Sequence, residues 1–193
     1  MALAMFANFK PTPEAPIAGT ARVSFSALEA LCDISRRYVS LGLSRLEQHG
    51  LITTQPIGTA HRYLLAGYAH RGWAKLPRAY LLGEQRFKTL GIRGALHLNA
   101  LKLYLALLSF RDNDSHTALL SYDKIEHYTG IARPHIRRAI DVLINHEWLS
   151  IGSHLPTDRA QHPTNAYVLR GDFWGRKAAT YARAARTSAA APP

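Results

Sequence analysis

Shifted by 97 residues, the sequence aligns with itself without a gap, so that Thr20 falls on Thr117. TARVSFSALEALCDISRRYVSLGLSRLEQHGLI, Thr20 to Ile52, lies over TALLSYDKIEHYTGIARPHIRRAIDVLINHEWL, Thr117 to Leu149. Thr20, Ala21, Ser24, Glu29, Ile34, Arg36, Leu46 and His49 meet identical residues at Thr117, Ala118, Ser121, Glu126, Ile131, Arg133, Leu143 and His146. Apolar positions stay in phase as well: Phe25 with Tyr122, Leu28 with Ile125, Val39 with Ile136, Leu43 with Ile140. Self-similarity at a fixed spacing means one supersecondary unit used twice. Whatever this chain folds into has to accommodate two copies.

Each copy reads in the same order. A short extended piece (21–23; 118–120) ends at Ser24 or Ser121, residues suited to cap a helix. A short helix follows, to about Cys32 and Tyr128, and then a turn, with Thr129-Gly130 supplying the usual glycine in the second copy. A second helix is predicted from about Ser35 to His49 and from about Arg133 to Glu147. Its apolar residues sit at i, i+4 and i+7 (Val39, Leu43, Leu46; Ile136, Ile140, Leu143), which makes one buried stripe. Gly50 is a natural terminator for the first of these helices, whereas the second ends at Glu147 without one. A hairpin comes next: 51–57 and 62–65 around Gly58 to His61, then 148–151 and 166–170 around a longer loop. Helix, turn, helix and two-stranded wing make a winged helix-turn-helix.

The expected fold class is therefore mainly α with small β-hairpin wings (α+β), as two tandem winged helix-turn-helix domains. The second copy has a first helix upstream, LNALKLYLALLSF; in the first copy prolines crowd that place, and residues 73–90 are candidates to fill it. The expected layout is a flexible N-terminal arm (1–19), a first domain (20–70), a helical linker (71–95), a second domain (96–171) and a C-terminal helix and tail (172–193).

Charge points to the partner. Lys and Arg number 24 against 13 Asp and Glu in 193 residues, a formal net charge of +11. Such an excess suits a polyanion, most often nucleic acid. With Val39, Leu43 and Leu46 buried, the helical step points Arg37, Ser40, Ser44 and Gln48 outward, with Ser35, Arg36 and Tyr38 at the helix start. Arginine pairs with guanine O6 and N7 and glutamine with adenine, while serine and tyrosine suit phosphates. Arginines at a helix N-terminus oppose the macrodipole unless phosphates dock there. In the second copy the outward set is Arg133, His135, Arg137, Arg138, Asp141 and Asn145. Asp141 can accept from cytosine N4 or orient an arginine. Because the two outward sets differ, two half-sites of different sequence are expected. Wing contacts are expected from His61 and Arg62, and from His154, Arg159 and His162.

SRRYVSLGLSRLEQHGLI resembles the recognition-helix segment of GntR- and MarR-type winged-helix regulators: serine and arginine at the start, a central valine, then leucine, glycine and leucine-isoleucine. The second half, ALKLYLALLSFRDN followed by SYDKIEHYTGIARPHIRRAIDVL, is similar to winged helices in plasmid and phage replication proteins. The resemblance covers roughly residues 20 to 65 and 96 to 170 and speaks to fold more than to role. Pro134 and Glu147 depart from the pattern. The resemblance implies a double-stranded DNA partner; a homodimer would extend the footprint, and the separate effector domain that GntR proteins carry has no room in this chain. The function expected is a sequence-specific transcriptional regulator, a repressor acting by promoter occlusion. The alternative is a plasmid- or phage-type replication initiator or partition protein that binds repeated origin sites.

Other classes are disfavoured. The ten histidines form no H-E-x-x-H, and there is neither a phosphate-cradling glycine loop nor a dinucleotide fingerprint. Asp112 and Asp114 read as a polar loop rather than as magnesium ligands. No enzyme activity, cofactor, metal or small-molecule effector is expected. His49 and His146 are placed to cap helix carbonyls and favour the dipole. Cys32, the only cysteine, reads as a small buried hydrophobe. The opening MALAMFANFK lacks a charged n-region and runs into Pro11, Pro13 and Pro16, so no signal peptide is expected. The longest apolar segment, around 100–110, is interrupted by Lys102 and too short to span a bilayer. A soluble cytoplasmic protein without membrane association follows as the expectation. The segment after Asp172 is alanine-rich and helix-prone; its Arg176, Lys177, Arg183 and Arg186 suit it to a subunit contact or to phosphates.

Overall fold

A computed structural model describes residues 1–8, 10–13, 15–57, 60–68, 74–152 and 165–173. The fold mixes helices with two small antiparallel sheets. In chain order it runs α1 (Ala2–Phe6), β1 (Thr20–Val23), α2 (Phe25–Cys32), α3 (Arg36–Gln48), β2 (Ile52–Ile57) and β3 (Ala60–Leu65). It continues through α4 (Arg78–Leu82), a 3-10 turn (Gly83–Gln85), α5 (Arg86–Leu90) and α6 (Ala95–Phe110). Then come β4 (Thr117–Leu119), α7 (Tyr122–Thr129), α8 (Arg133–Asn145), β5 (Leu149–Gly152) and β6 (Ala166–Leu169).

The two repeats adopt the same connectivity, strand–helix–helix–hairpin, and the same strand orders, β1-β3-β2 and β4-β6-β5. Each sheet has three strands, because the short extended piece ahead of the first helix pairs with the returning arm of the hairpin. Thr20 lies opposite Leu64 and Thr117 opposite Val168. Pro56, which has no N–H to donate, sits in β2 on the sheet edge, where its missing donor is tolerated.

The helix boundaries have local causes. The Ser24 hydroxyl accepts from the Ala27 amide at 3.1 Å and Ser121 from the Lys124 amide at 3.3 Å, satisfying one orphan donor of each helix. Both α3 and α8 end in a Schellman motif. Leu51 N–H donates to Leu46 O and Gly50 N–H to Glu47 O; Trp148 N–H donates to Leu143 O and Glu147 N–H to Ile144 O. The left-handed residue is Gly50 at φ 65° in the first repeat and Glu147 at φ 61° in the second. The second helix is thus closed in the same way as the first, with a glutamate accepting the unfavourable backbone.

The cores are unequal. The larger is built on α6, whose Ala100, Leu103, Tyr104, Leu107 and Leu108 are buried at helical spacing and packed on α7 and α8. Trp148 is wholly buried there, edge-on to Tyr104 with ring centroids 4.8 Å apart. The smaller joins Leu3, Ala21, Val23, Leu28, Val39, Ile52 and Tyr63. Each fully buried large apolar side chain contributes about 1.5–3 kcal/mol, so the first repeat alone has much less to hold it.

Three expected boundaries change accordingly. Residues 1–8 are no free arm: α1 puts Leu3 into the smaller core and Met5 into the larger. Ala7 bridges to Ala21, and Asn8 accepts from the Thr20 amide at 2.7 Å. An apolar MALAMF can bury both faces only between the two cores. Nor do α4 and α5 form a linker. Leu81, Phe87 and Leu90 are buried in the larger core, and α5 contacts α2, covering part of the side where the first repeat lacks a long helix. Asp172 and Phe173 also belong to the body. Lys75 donates to both of their carbonyls, and Phe173 is buried beneath the Arg111 guanidinium, 4.2 Å from its ring centroid. The C-terminal helix expected beyond them lies outside the described residues. Cys32 is half-buried at the edge of the larger core, where burial raises its thiol pKa.

Candidate nucleic-acid interface

In each repeat, a helix, a tight turn and a second helix present one face to solvent. The turn needs a left-handed residue, which is Gly130 at φ 65° in the second repeat and Asp33 at φ 51° in the first. Asp33 is steadied there by Arg93, which donates to its carbonyl at 2.9 Å and pairs with its carboxylate at 3.1 Å.

On α3, Val39 is buried and Leu43 and Leu46 are half-buried, while Arg37, Tyr38, Ser40, Ser44 and Gln48 are exposed. Ser35 is the exposed N-cap residue, and its hydroxyl makes no capping bond. On α8, Ile136, Ala139, Ile140 and Leu143 are buried, and His135, Arg137, Arg138, Asp141 and Asn145 are exposed. Pro134 opens this helix, at a position where its missing N–H costs nothing. Among the described residues no ion pair engages Arg37, Arg45, Arg137 or Arg138, and none joins Asp141 to an arginine.

Arg36 and Arg133, the arginines shared by the repeats, are occupied differently. Arg36 faces Glu29 at 3.8 Å and covers the Phe25 ring. Arg133 pairs with Asp123, covers Tyr122, and donates its backbone N–H to Glu126 at 3.2 Å. Both tie the second helix to the one before it.

His61 and Arg62 sit in the central strand β3, not at a hairpin tip. The His61 ring is half-buried, edge-on to Phe25 at 5.3 Å and stacked on Tyr63 at 6.1 Å. Arg62 lies directly across from Arg22 in the sheet. His154, Arg159 and His162 lie outside the described residues.

The sequence reading missed Arg22, Leu41 and Arg45, all exposed. Leu41 is 45% exposed and stands opposite the buried stripe. Counting helical steps from Val39 would have found it, but its apolar character argues for the core. Its counterpart one repeat later is Arg138, and Gln48 corresponds to Asn145. Burial and nearby His97 lower the pKa of His146 at the α8 end. Burial also pushes the Tyr167 phenol up to about 12.

Among the described residues no helix is long and apolar enough to cross a membrane, and no group of three or more His, Cys, Asp or Glu could hold a metal ion. No curated protein matches the chain. Residues 95–149, spanning α6, β4, α7 and α8 to the start of β5, match the family model of the helix-turn-helix domain, a domain type that points to DNA binding.

Proposed function

We propose that this protein is a sequence-specific binder of double-stranded DNA made of two winged helix-turn-helix modules, and that it regulates transcription by occluding a promoter. The observation that supports this most is the solvent face of α8. Within the helix-turn-helix match it carries Arg137, Arg138 and Asn145 exposed, with neither arginine in an ion pair among the described residues. In this reading α8 enters the major groove. Arg138 pairs with guanine, Asn145 with adenine, and Asp141 accepts from cytosine N4. In the first module Arg37 reads guanine, Gln48 adenine and Leu41 a thymine methyl, while Tyr38, Ser40 and Ser44 hold phosphates. The protein does no chemistry on the DNA.

The test is selection of bound duplexes from a randomised pool, followed by anisotropy titration of the winner across salt. A defined motif bound about a thousandfold above random DNA is expected. A palindrome fits a dimeric repressor, and tandem direct repeats fit a replication initiator. Arg37→Ala and Arg138→Ala then identify the module that reads each half. Binding without a motif that vanishes by roughly 0.2 M salt would reduce the interaction to charge attraction and overturn the reading.

A further inference from the structure

The 16-residue helix α6 buries Ala100, Leu103, Tyr104 and Leu107 and leaves the opposite stripe, Leu98, Lys102, Leu105 and Ser109, exposed. Beside that stripe runs a groove of about 450 Å³, walled by Lys102, Leu105, Ala106 and Phe110 of α6 and by Tyr128 near the end of α7. Three large apolar side chains meet water in this one place: Leu105 is 40% exposed, Phe110 43% and Tyr128 55%. The Phe110 and Tyr128 rings lie 4.6 Å apart at 45°, so each covers part of the other. A cluster of this kind marks a place where another apolar surface docks. The charge of the groove is positive. Lys102 lines it, and Lys124 stands one turn before Tyr128 on the same face of α7. Among the described residues no ion pair engages either lysine. The acids of α7 are directed at α8: Asp123 pairs with Arg133, and Glu126 accepts from the Arg133 amide.

We propose that this groove docks an acidic amphipathic helix of a partner protein, with leucine or phenylalanine side chains among Leu105, Phe110 and Tyr128 and carboxylates over Lys102 and Lys124. Recognition of a helix in a groove rests on that combination of a few apolar anchors at helical spacing and a charge that sets partner choice. Charge argues against the occupants nearest to hand. A second copy carries the same formal net charge of +11, and the segment of this chain after Phe173 is basic as well, with Arg176, Lys177, Arg183 and Arg186. A single nucleic-acid strand needs open ring faces on which its bases stack. Here Phe110 and Tyr128 are tilted onto each other, and Leu105 and Ala106 offer no ring. Because α8 packs against the buried side of α6, the outward stripe of α6 and the solvent face of α8 lie on opposite sides of the helix pair. The partner and a duplex on α8 can therefore be bound together. The docking site does not depend on the DNA reading.

The probe is a fluorescein-labelled synthetic peptide of 16 residues, the length of α6, with leucine and phenylalanine at helical spacing and glutamate elsewhere. It is titrated against the full chain at near-physiological salt and read by anisotropy. Saturable one-to-one binding is expected, and a scrambled peptide of the same composition should bind about tenfold more weakly. Leu105→Lys should weaken binding about tenfold although it adds a positive charge, because it removes an apolar anchor. Lys102→Glu should weaken it by a similar factor through repulsion. Ile17→Lys, which adds the same charge at an exposed apolar residue elsewhere, should leave it unchanged. Circular dichroism confirms that each variant is folded. Excess duplex DNA should not displace the peptide. No saturable binding would overturn the site. So would displacement by duplex, equal binding of the scrambled peptide, or tighter binding to Leu105→Lys, since each puts the peptide on a general cationic surface. Oligothymidylate that competes with the peptide and loses affinity in Tyr128→Ala would give the groove to a nucleic-acid strand and overturn the proposal. A dimer of the unaltered chain that Leu105→Lys dissociates would give it to a second copy, with the same consequence. If no duplex binds the protein at all, the scrambled peptide and the variants still decide the site.

Discussion

The guanidinium carbon of Arg36 lies 5.1 Å from the centroid of the Phe25 ring, and one repeat later Arg133 lies 5.9 Å from that of Tyr122. In both repeats an arginine at the start of the second helix covers an aromatic ring at the start of the first and faces an acid on that helix. The arginine common to the two copies therefore recurs because it braces the helix pair. In the proposed function, groove reading is assigned to residues that differ between them, chiefly Arg37 and Arg138.

Truncating these arginines should separate the two roles. Arg36→Ala is expected to lower stability by about 0.5–1 kcal/mol, the worth of an exposed cation–π contact. Arg138→Ala should leave stability within about 0.5 kcal/mol while costing roughly 1–3 kcal/mol of DNA affinity. Urea melts paired with anisotropy titrations check both, and the opposite pattern would return DNA reading to the shared arginine.

Gly42 is an exposed glycine inside α3, and a Cβ built on it meets nothing within 4 Å. The equivalent position one repeat later is Ala139. Gly42→Ala should stabilise the protein by about 0.5–1 kcal/mol through helix propensity and a less flexible unfolded chain. Thermal melting reads this directly, and an unchanged or lowered midpoint would refute it.

Glu147 holds φ 61° where the first repeat has Gly50. Glu147→Gly should gain about 1 kcal/mol by removing a left-handed Cβ. What it loses is the 3.9 Å pairing with Arg86, where Glu147 is 62% exposed and the pairing correspondingly screened. The Tyr80 hydroxyl donates to the Glu147 backbone carbonyl at 2.6 Å, a bond that survives the change. Chemical denaturation of the variant should show a higher midpoint.

Acid should destabilise the fold through two histidines. Burial, aided by Arg111, lowers the pKa of His116, and burial with His97 lowers that of His146. Below an ordinary histidine pKa of about 6.5 the unfolded chain binds protons that the folded one resists, so stability falls as pH falls through that value. Above it the full stability is present. Melting temperatures should drop from pH 7.5 to 5.5, and His116→Gln should flatten part of that slope. Equal slopes in both proteins would remove His116 from the account.

Much of the architecture was legible in advance. Serine caps at Ser24 and Ser121, a three- and four-residue apolar rhythm through Val39 and Ile136, and β-rich runs after Gly50 and Glu147 are all local signals. They placed α2, α3, α7, α8 and both hairpins within a few residues. The exposed candidates on α3 and α8 followed from the same periodicity, because burying one stripe of a helix fixes what the opposite face presents. Leu41 escaped because an apolar residue at the centre of a solvent face contradicts the rule used to find that face. His61 was expected at the wing because nothing local reveals that its ring packs on Phe25.

The sequence by itself determined that one unit is used twice and which helix faces meet solvent, since both depend on the spacing of residues close in the chain. Only the tertiary structure decided that α1 divides Leu3 and Met5 between two cores, that α4 and α5 are built into the larger one, and that Phe173 lies beneath Arg111. It also decided that the shared arginines brace helices, while among the described residues no ion pair engages Arg37 or Arg138. These are contacts between residues far apart in sequence. They form where buried area and charge pairing outweigh the cost of closing long loops, and no short stretch of residues encodes that balance.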